Sequence, residues 1–280
     1  MTSSDFPSLV HAACAVLTTA DANLKAACAR EAAAAWQSGG MPLLPVSGTA
    51  PSPPLRPGRP EAPQLLPPAR MPRRSFKGER GRFALLHAVA HIELNAIDLA
   101  FDMVARFAGQ DLPQAFFDDW IRVGDDEARH FNLLQARLSE MGGRYGDLPA
   151  HDGLWQAAEE TRHDLMARLA VVPMVLEARG LDVTPGMIER LNSANDKKSA
   201  AALRVIYEEE KTHVATGAAW FRHLCEKQGL DPETAFHETV RRHFRGDLKP
   251  PFNDAARLEA GMPSSFYEPL AQILRYGEAT

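Results

Sequence analysis

The chain has 280 residues, of which 45% are hydrophobic and 24% are charged, and its formal net charge is −5. This composition is typical of a globular protein with a sizeable core, and the negative charge argues against a protein built as a whole to coat nucleic acid. Three cysteines without CxxC spacing predict neither a disulfide framework nor a thiolate zinc site. Because the sequence shows neither a long apolar run nor a secretory signal, we expect no membrane association and a cytoplasmic location.

The first 80 residues are predicted to form two appended segments. Residues 1–40 are rich in alanine, and their apolar residues recur at helical intervals before Gly39-Gly40, which predicts an N-terminal arm of one or two helices. Residues 41–80 are dense in proline, which predicts an extended strap without a core of its own. Between residues 56 and 82 eight arginines and lysines outnumber two glutamates. We interpret this basic strap as a solvated segment, with the binding of an anionic ligand or partner as the alternative.

The remainder of the chain is predicted to be all-α. Residues 81–228 show helical periodicity throughout, which predicts a four-helix bundle with helices over about 81–106, 113–141, 152–179 and 196–227. The third helix is expected to kink at Pro173 and to end at Gly180, with a short helix after it. Residues 229–280 are predicted to form a C-terminal helix, beginning at Asp231, and an irregular tail, both packed on the bundle.

A short motif of a carboxylate and an imidazole occurs twice, each time in the middle of a predicted long helix: Glu127-Ala128-Arg129-His130 and Glu210-Lys211-Thr212-His213. Spacing of three puts both side chains on one helix face, which here is the apolar face, where burial without partners is costly. Glu93 lies 34 residues before the first motif and Glu177 lies 33 residues before the second, each on an apolar stripe. A single Glu-x-x-His motif lies on a solvated helix face more often than it binds a metal. The repeat of the whole unit predicts that six side chains converge in the core: Glu93, Glu127, His130, Glu177, Glu210 and His213.

Metal ions explain how such a core is tolerated, since two divalent cations balance four glutamates. Oxygen-rich ligation with two imidazoles suits iron or manganese better than structural zinc, and it is the ligand pattern of ferritin-like di-iron and di-manganese proteins. We therefore predict two metal ions, with iron expected first and manganese or a mixed iron–manganese pair as alternatives. No catalytic group beyond the ligands and no organic-cofactor motif is identified. His91 and Tyr207 are candidates for supporting the ligands, and packed core residues otherwise.

Four sequence blocks carry a family resemblance: RGRFALLHAVAHIELNAIDLAFDM, DDEARHFNLLQARLSEMGGRYGDLPAHDGLW, LEARGLDVTPGMIERL and PPFNDAARLEAG. With these blocks the chain resembles an uncharacterised bacterial ferritin-like family, the domain of unknown function 455, over nearly its whole length. The metal motifs of that family match here at the six residues listed above. In the four-helix core alone, the chain is more distantly similar to the di-iron hydroxylase of modified tRNA adenosines and related ferritin-like oxygenases. The near family implies a fold and a metal and leaves the substrate open.

These observations favour a non-haem di-iron oxidase or monooxygenase that activates dioxygen to oxidise or hydroxylate a small-molecule substrate, with an electron donor as a further partner. Apolar side chains are expected to wall the site and keep water out: Ile97, Leu134, Ile206 and Trp220. Three alternatives stay open. They are peroxide disposal by a di-manganese pair, iron or manganese handling without an organic substrate, and hydroxylation of tRNA, to which the distant relative and the basic strap point.

Overall fold

A computed structural model describes residues 6–67, 70–71, 78–245 and 248–271. Over these residues the protein is all-α, as predicted, and the one strand-like feature is an isolated bridge between Leu65 and Ala150. The chain divides into two compact units, Met1–Trp155 and Gln156–Thr280, called here the first and second unit. Three basic residues of the strap lie outside the described ranges: Arg73, Arg74 and Lys77.

The N-terminal arm consists of helices α1 (Leu9–Thr18) and α2 (Ala22–Gln37), which confirms its helical prediction. The Asp21 side chain caps α2 by accepting a hydrogen bond from the backbone N–H of Leu24. Leu24, one of the apolar residues that recur at helical intervals in this arm, is 61% exposed. The buried face of α2 instead combines the charged Lys25 with small residues, namely Ala22, Ala26, Ala29, Ala32 and Ala33. Small side chains let α2 pack closely against α4.

The proline-rich strap contains no regular helix between residues 41 and 67, in agreement with the extended prediction. It is fixed to the helical arm at Gly58, whose backbone N–H donates to the carbonyl of Leu17 at 2.7 Å. A Cβ atom at Gly58 would lie 2.5 Å from the carbonyl oxygen of Thr18, so this close approach requires glycine. The neighbouring Arg59 side chain points inward to a buried ion pair. The strap is therefore anchored to the first unit, and the solvated interpretation is wrong at this residue.

Helices α3 (Gly78–Phe107) and α4 (Gln114–Glu140) pack against each other in the first unit, within three residues of the predicted bounds. Helix α4 ends just before Gly142, whose φ of +82° supplies the left-handed conformation that the Gly142-Gly143 pair predicted. Where α3 and α4 contact each other, a Cβ atom at Gly124 would lie 2.6 Å from the ring of Phe101. The missing side chain at Gly124 thus sets how closely α4 approaches α3.

Helix α3 passes the length and composition test for a membrane span, and it is the one described helix that does so. Most of that apolar stretch is buried inside the protein. Burial on all sides is typical of the central helix of a large core. The described part of the chain therefore contains no clear membrane span.

The first half of the second unit differs from the prediction of a single helix over 152–179. Four elements occupy this region: α5 (Gly153–Glu160), α6 (Leu165–Val171), a π-helical segment (Val172–Glu177) and α7 (Ala178–Ser193). The chain breaks before α6, where the Asp164 side chain caps that helix. Pro173 lies in the π-helical segment, as the predicted kink suggests, but α7 runs through Gly180, so the predicted break there is wrong.

Pro185 lies inside α7, where it has no N–H to donate to the carbonyl four residues earlier. That carbonyl belongs to Leu181, and the Nδ2 amide of Asn253 donates to it at 3.0 Å. The Asp182 carboxylate accepts a hydrogen bond from the backbone N–H of Asn253 at 2.9 Å and binds the Arg257 guanidinium through both oxygens. The C-terminal segment thereby completes α7, which explains how the helix continues through a proline.

The second half of the second unit comprises α8 (Lys197–Gln228), α9 (Pro232–His243), α10 (Asp254–Glu259) and a 3₁₀ turn (Ser264–Phe266). The bounds of α8 and the cap of α9 by Asp231 agree with the sequence predictions. The predicted irregular tail contains one short helix, which Asn253 caps by accepting a hydrogen bond from the backbone N–H of Ala256. Residues 272–280 of the tail lie outside the described ranges.

Candidate metal centre

Three predicted ligands meet in the core of the first unit, and we call Glu93, Glu127 and His130 the first ligand group. The His130 Nδ1 atom lies 3.2 Å from Glu93 Oε2 and 3.3 Å from Glu127 Oε2. One possible ligand atom from each residue lies within 4.8 Å of the other two. Glu93 is 2% exposed, and the other two residues are fully buried. The structure therefore brings together these three of the six predicted residues.

Local helix geometry explains this meeting. Glu127 and His130 are one turn apart on the buried face of α4, together with Gly124, Leu134 and Leu138. Glu93 is on a part of α3 that is buried on every side. The close helix approach at Gly124, one turn before Glu127, brings the two backbones near enough for side chains of ordinary length to touch.

Hydrogen bonds between His130 and the two carboxylates hold the first ligand group together. Both carboxylate oxygens only accept hydrogen bonds, so Nδ1 of His130 is the donor. Burial alone would lower the pKa of His130, but its hydrogen bonds to Glu127 and Glu93 and their negative charges raise that pKa to about 11. The imidazole is therefore a cation that compensates two buried carboxylates.

The remaining predicted ligands lie in the second unit, and we call Glu177, Glu210 and His213 the second ligand group. On α8 the Nδ1 atom of His213 lies 3.6 Å from Glu210 Oε2, which is longer than a hydrogen bond. The His213 side chain is 1% exposed and the Glu210 side chain is 13% exposed. Glu177 is half-buried at the end of the π-helical segment, which packs against α8.

The donor atoms fit a divalent metal. In the first ligand group, two carboxylates and an imidazole form a set of hard and borderline donors suited to iron or manganese. In the second, the Oε2 atom of Glu210 is buried without a hydrogen bond from any residue in the described ranges. A buried carboxylate oxygen in that state is costly unless a cation binds it.

His91 lies on α3 but does not face the first ligand group. Its Nε2 donates to the carbonyl of His151 at 3.0 Å, so its Nδ1 accepts from the Tyr145 hydroxyl at 2.8 Å. Burial lowers the pKa of His91 to about 4, which keeps the imidazole neutral. These contacts favour the core-histidine interpretation of His91.

Tyr207 contacts the C-terminal segment. Its hydroxyl accepts from the Nδ2 amide of Asn253 at 3.0 Å, and the ammonium of Lys211 lies 5.0 Å from its ring centre. Of the four apolar side chains expected to wall the site, Trp220 is half-buried. The other three are buried, namely Ile97, Leu134 and Ile206. Whether any of them supports the metal chemistry stays a prediction.

Sequence reasoning missed a buried ionic network on the other face of α3. Asp98 is fully buried and pairs with both Lys25 and Arg59, and Arg59 also donates to the Asn95 side chain at 2.6 Å. Burial raises the pKa of Asp98, while the two cations oppose that shift. The described contacts of the Asp98 side chain are thus with the arm and the strap. The signal in the sequence was a lysine surrounded by alanines at helical spacing, Ala22, Ala26 and Ala29.

Comparison of the sequence with those of known proteins shows the family to which the chain belongs. The family described as "Protein of unknown function (DUF455)" matches residues 18–268. The chain belongs to this family. An uncharacterized protein of Haemophilus influenzae is 42% identical over 207 residues, which is 72% of this chain and 72% of that protein. No solved structure matches the chain. Membership in the DUF455 family confirms the near resemblance, while the ferritin-like relationship stays a prediction.

Proposed function

We propose that this DUF455 protein is a non-haem dinuclear-metal oxidoreductase that uses iron and dioxygen to oxidise or hydroxylate a small-molecule substrate. The observation that carries the proposal is the buried first ligand group, in which His130 lies between the carboxylates of Glu93 and Glu127. The same residue types recur at matching spacing in the second unit. The proposal includes the sequence prediction that both groups hold one pair of ions in a ferritin-like bundle.

The six side chains would divide the work of holding the ions. His130 and His213 would each bind one ion, and the four glutamates would neutralise the charge of both. Six protein ligands would not fill every coordination position of two such ions. A ferrous pair, when bound, supplies the electrons that reduce dioxygen.

The core around the first ligand group suits reactive chemistry. Ile97 follows Glu93 by one turn of α3, and Leu134 follows His130 by one turn of α4, and both side chains are fully buried. Apolar neighbours of this kind exclude water and strengthen the electrostatic interactions of the ligands. Dioxygen is small and apolar, so such surroundings admit it.

The experiment that tests the proposal is anaerobic loading with ferrous iron followed by exposure to dioxygen, monitored by Mössbauer spectroscopy. We expect a magnetically coupled pair of ferric ions in the wild type and its loss in Glu127→Gln. Glu140→Gln is the matched control, because Glu140 is on the same helix but exposed and paired with Arg137. A wild type that binds ferrous iron without coupled oxidation would contradict the proposal.

The alternative functions give different results in the same preparation. Manganese that persists through purification, together with catalase activity, would favour peroxide disposal. A large assembly with many irons per chain would favour iron handling, and salt-sensitive tRNA binding would favour the tRNA hydroxylase. Two of the strap's basic residues, Arg56 and Arg59, are paired with carboxylates of the first unit.

A further inference from the structure

We infer that the two ligand groups bind metal unequally, the first group holding one ion tightly and the second group holding the other weakly and exchanging it. The inference rests on the proposed function for the presence of two ions. It adds an order of loading and names the ligand group at which metal exchanges. It is drawn from the geometry and burial of each group within its own unit.

The first ligand group is arranged for binding before an ion arrives. All three donor side chains are 0–3% exposed, and both carboxylates already lie at hydrogen-bond distance from the same imidazole nitrogen. Side chains held in place in this way lose little conformational freedom on binding, which favours affinity. Complete burial also slows the access of water and chelators to a bound ion.

The anchoring of the first group extends into the helices. The glycine contact between Gly124 and the buried Phe101 ring fixes α4 against α3 one turn from Glu127. A displacement of either ligand helix would create a clash or a cavity at this contact. The donor positions are therefore determined by core packing as well as by the hydrogen bonds of the donors.

The second ligand group is looser and more accessible. Glu210 and His213 are 3.6 Å apart, and the Glu210 side chain keeps 13% of its surface exposed. Glu177, the third member, is half-buried and ends a π-helical segment, a geometry less regular than an α-helix. Because Glu177 and Glu210 are more exposed than any member of the first group, an ion bound here is more open to exchange with water and chelators.

Manganese titration of the chelator-stripped full-length protein, under anaerobic conditions, tests the inference. Free Mn²⁺ is measured by electron paramagnetic resonance, so the readout needs neither iron nor turnover. We expect one tight and one weak ion per chain, with dissociation constants that differ by at least about ten-fold. His130→Gln should remove the tight class, and His213→Gln should remove the weak class and leave the tight one.

Two controls show whether a change in binding is specific to the substituted ligand. His223→Gln changes an exposed histidine of α8 whose ring meets that of Trp220 edge to face, and it should leave both classes unchanged. Because His130→Gln alters the core, its fold is checked by circular dichroism, and Glu210→Gln provides a second variant at a partly exposed ligand. Glu210→Gln should weaken the second class.

The outcomes separate this inference from the proposed function. Two ions of equal affinity, or a tight class that survives in folded His130→Gln, would overturn the inference and leave dioxygen chemistry open. Unequal classes in a protein that does not oxidise iron would support the inference and contradict the proposed function. Failure to bind Mn²⁺ or ferrous iron would contradict both.

Discussion

The imidazole of His130 donates a hydrogen bond of 3.2 Å to the carboxylate of Glu93, although 37 positions separate the two residues in the chain. Such a contact requires α3 and α4 to keep their register to well within one helical turn, about 5.4 Å. A metal ion bound at Nδ1 would replace the proton of this hydrogen bond. In the proposed metal-bound form, the same three side chains would hold a metal cation in place of the proton.

The close helix contacts at two glycines should be sensitive to a single methyl group. A Cβ at Gly124 would meet the Phe101 ring at 2.6 Å, and one at Gly217 would meet the Pro173 ring at 2.5 Å. We expect Gly124→Ala and Gly217→Ala each to lower the free energy of unfolding by about 1–3 kcal/mol. Urea unfolding measures this change.

Gly180→Ala is the matched control for these two variants. Gly180 lies inside α7, and its added Cβ would meet nothing within 4 Å. Alanine there should stabilise the protein by about 0.5–1 kcal/mol, because glycine costs backbone entropy in a helix. Equal effects of all three substitutions would contradict the role of close helix approach.

The buried ion pair between Lys25 and Asp98 should be essential for the stability of the first unit. Lys25→Met leaves a fully buried carboxylate with Arg59 as its remaining cation, and we expect a loss of about 3–5 kcal/mol in urea unfolding. Arg30→Met is the control, since Arg30 pairs with Asp125 but is 45% exposed and should cost less than about 1 kcal/mol. Similar costs for the two variants would refute this account.

The neutral, buried His91 should make the protein less stable at acid pH. Its pKa is lowered from 6.5 to about 4 in the folded protein, chiefly by burial. The unfolded chain therefore binds a proton more readily, so stability decreases as pH falls from about 6.5 to 4, by up to about 3 kcal/mol. His91→Gln should flatten this part of the pH profile of the melting temperature, whereas changing the exposed His163 to Gln should not.

The contact between Asn253 and the carbonyl of Leu181 should be coupled to Pro185. Asn253→Ala removes the donor that replaces the missing proline N–H, and we expect a loss of about 1–3 kcal/mol. In a Pro185→Ala background the helix supplies its own donor, so the same substitution should cost less. A double-mutant cycle by urea unfolding measures this coupling, and strictly additive effects would argue against it.

Periodicity and motif spacing were sufficient to predict the parts of the fold that depend on local pattern. The stripes of α3, α4 and α8 gave bounds close to those observed, and the Glu-x-x-His spacing placed Glu127 beside His130. The 34-residue interval back to Glu93 was also informative, because a tight hairpin returns the chain to the same level. These are properties of helix geometry that a single sequence contains.

Long-range polar contacts were beyond the reach of the same reasoning. Proline rules predicted a new helix near Pro185, because the Asn253 side chain that satisfies Leu181 lies about 70 residues away in sequence. Lys25 was similarly ambiguous, since only its burial against Asp98 shows that it belongs to the core. The local sequence pattern does not show which distant segment will supply a missing hydrogen-bond donor or a counter-charge.

The most direct test of a dinuclear site is anomalous X-ray diffraction from crystals of the protein purified without chelator, recorded on both sides of the iron and manganese absorption edges. The account predicts two peaks about 3.5–4 Å apart, one beside His130 and one beside His213, bound by the four glutamates. A map without an anomalous peak beside His130, in crystals soaked with ferrous iron under anaerobic conditions, would contradict it.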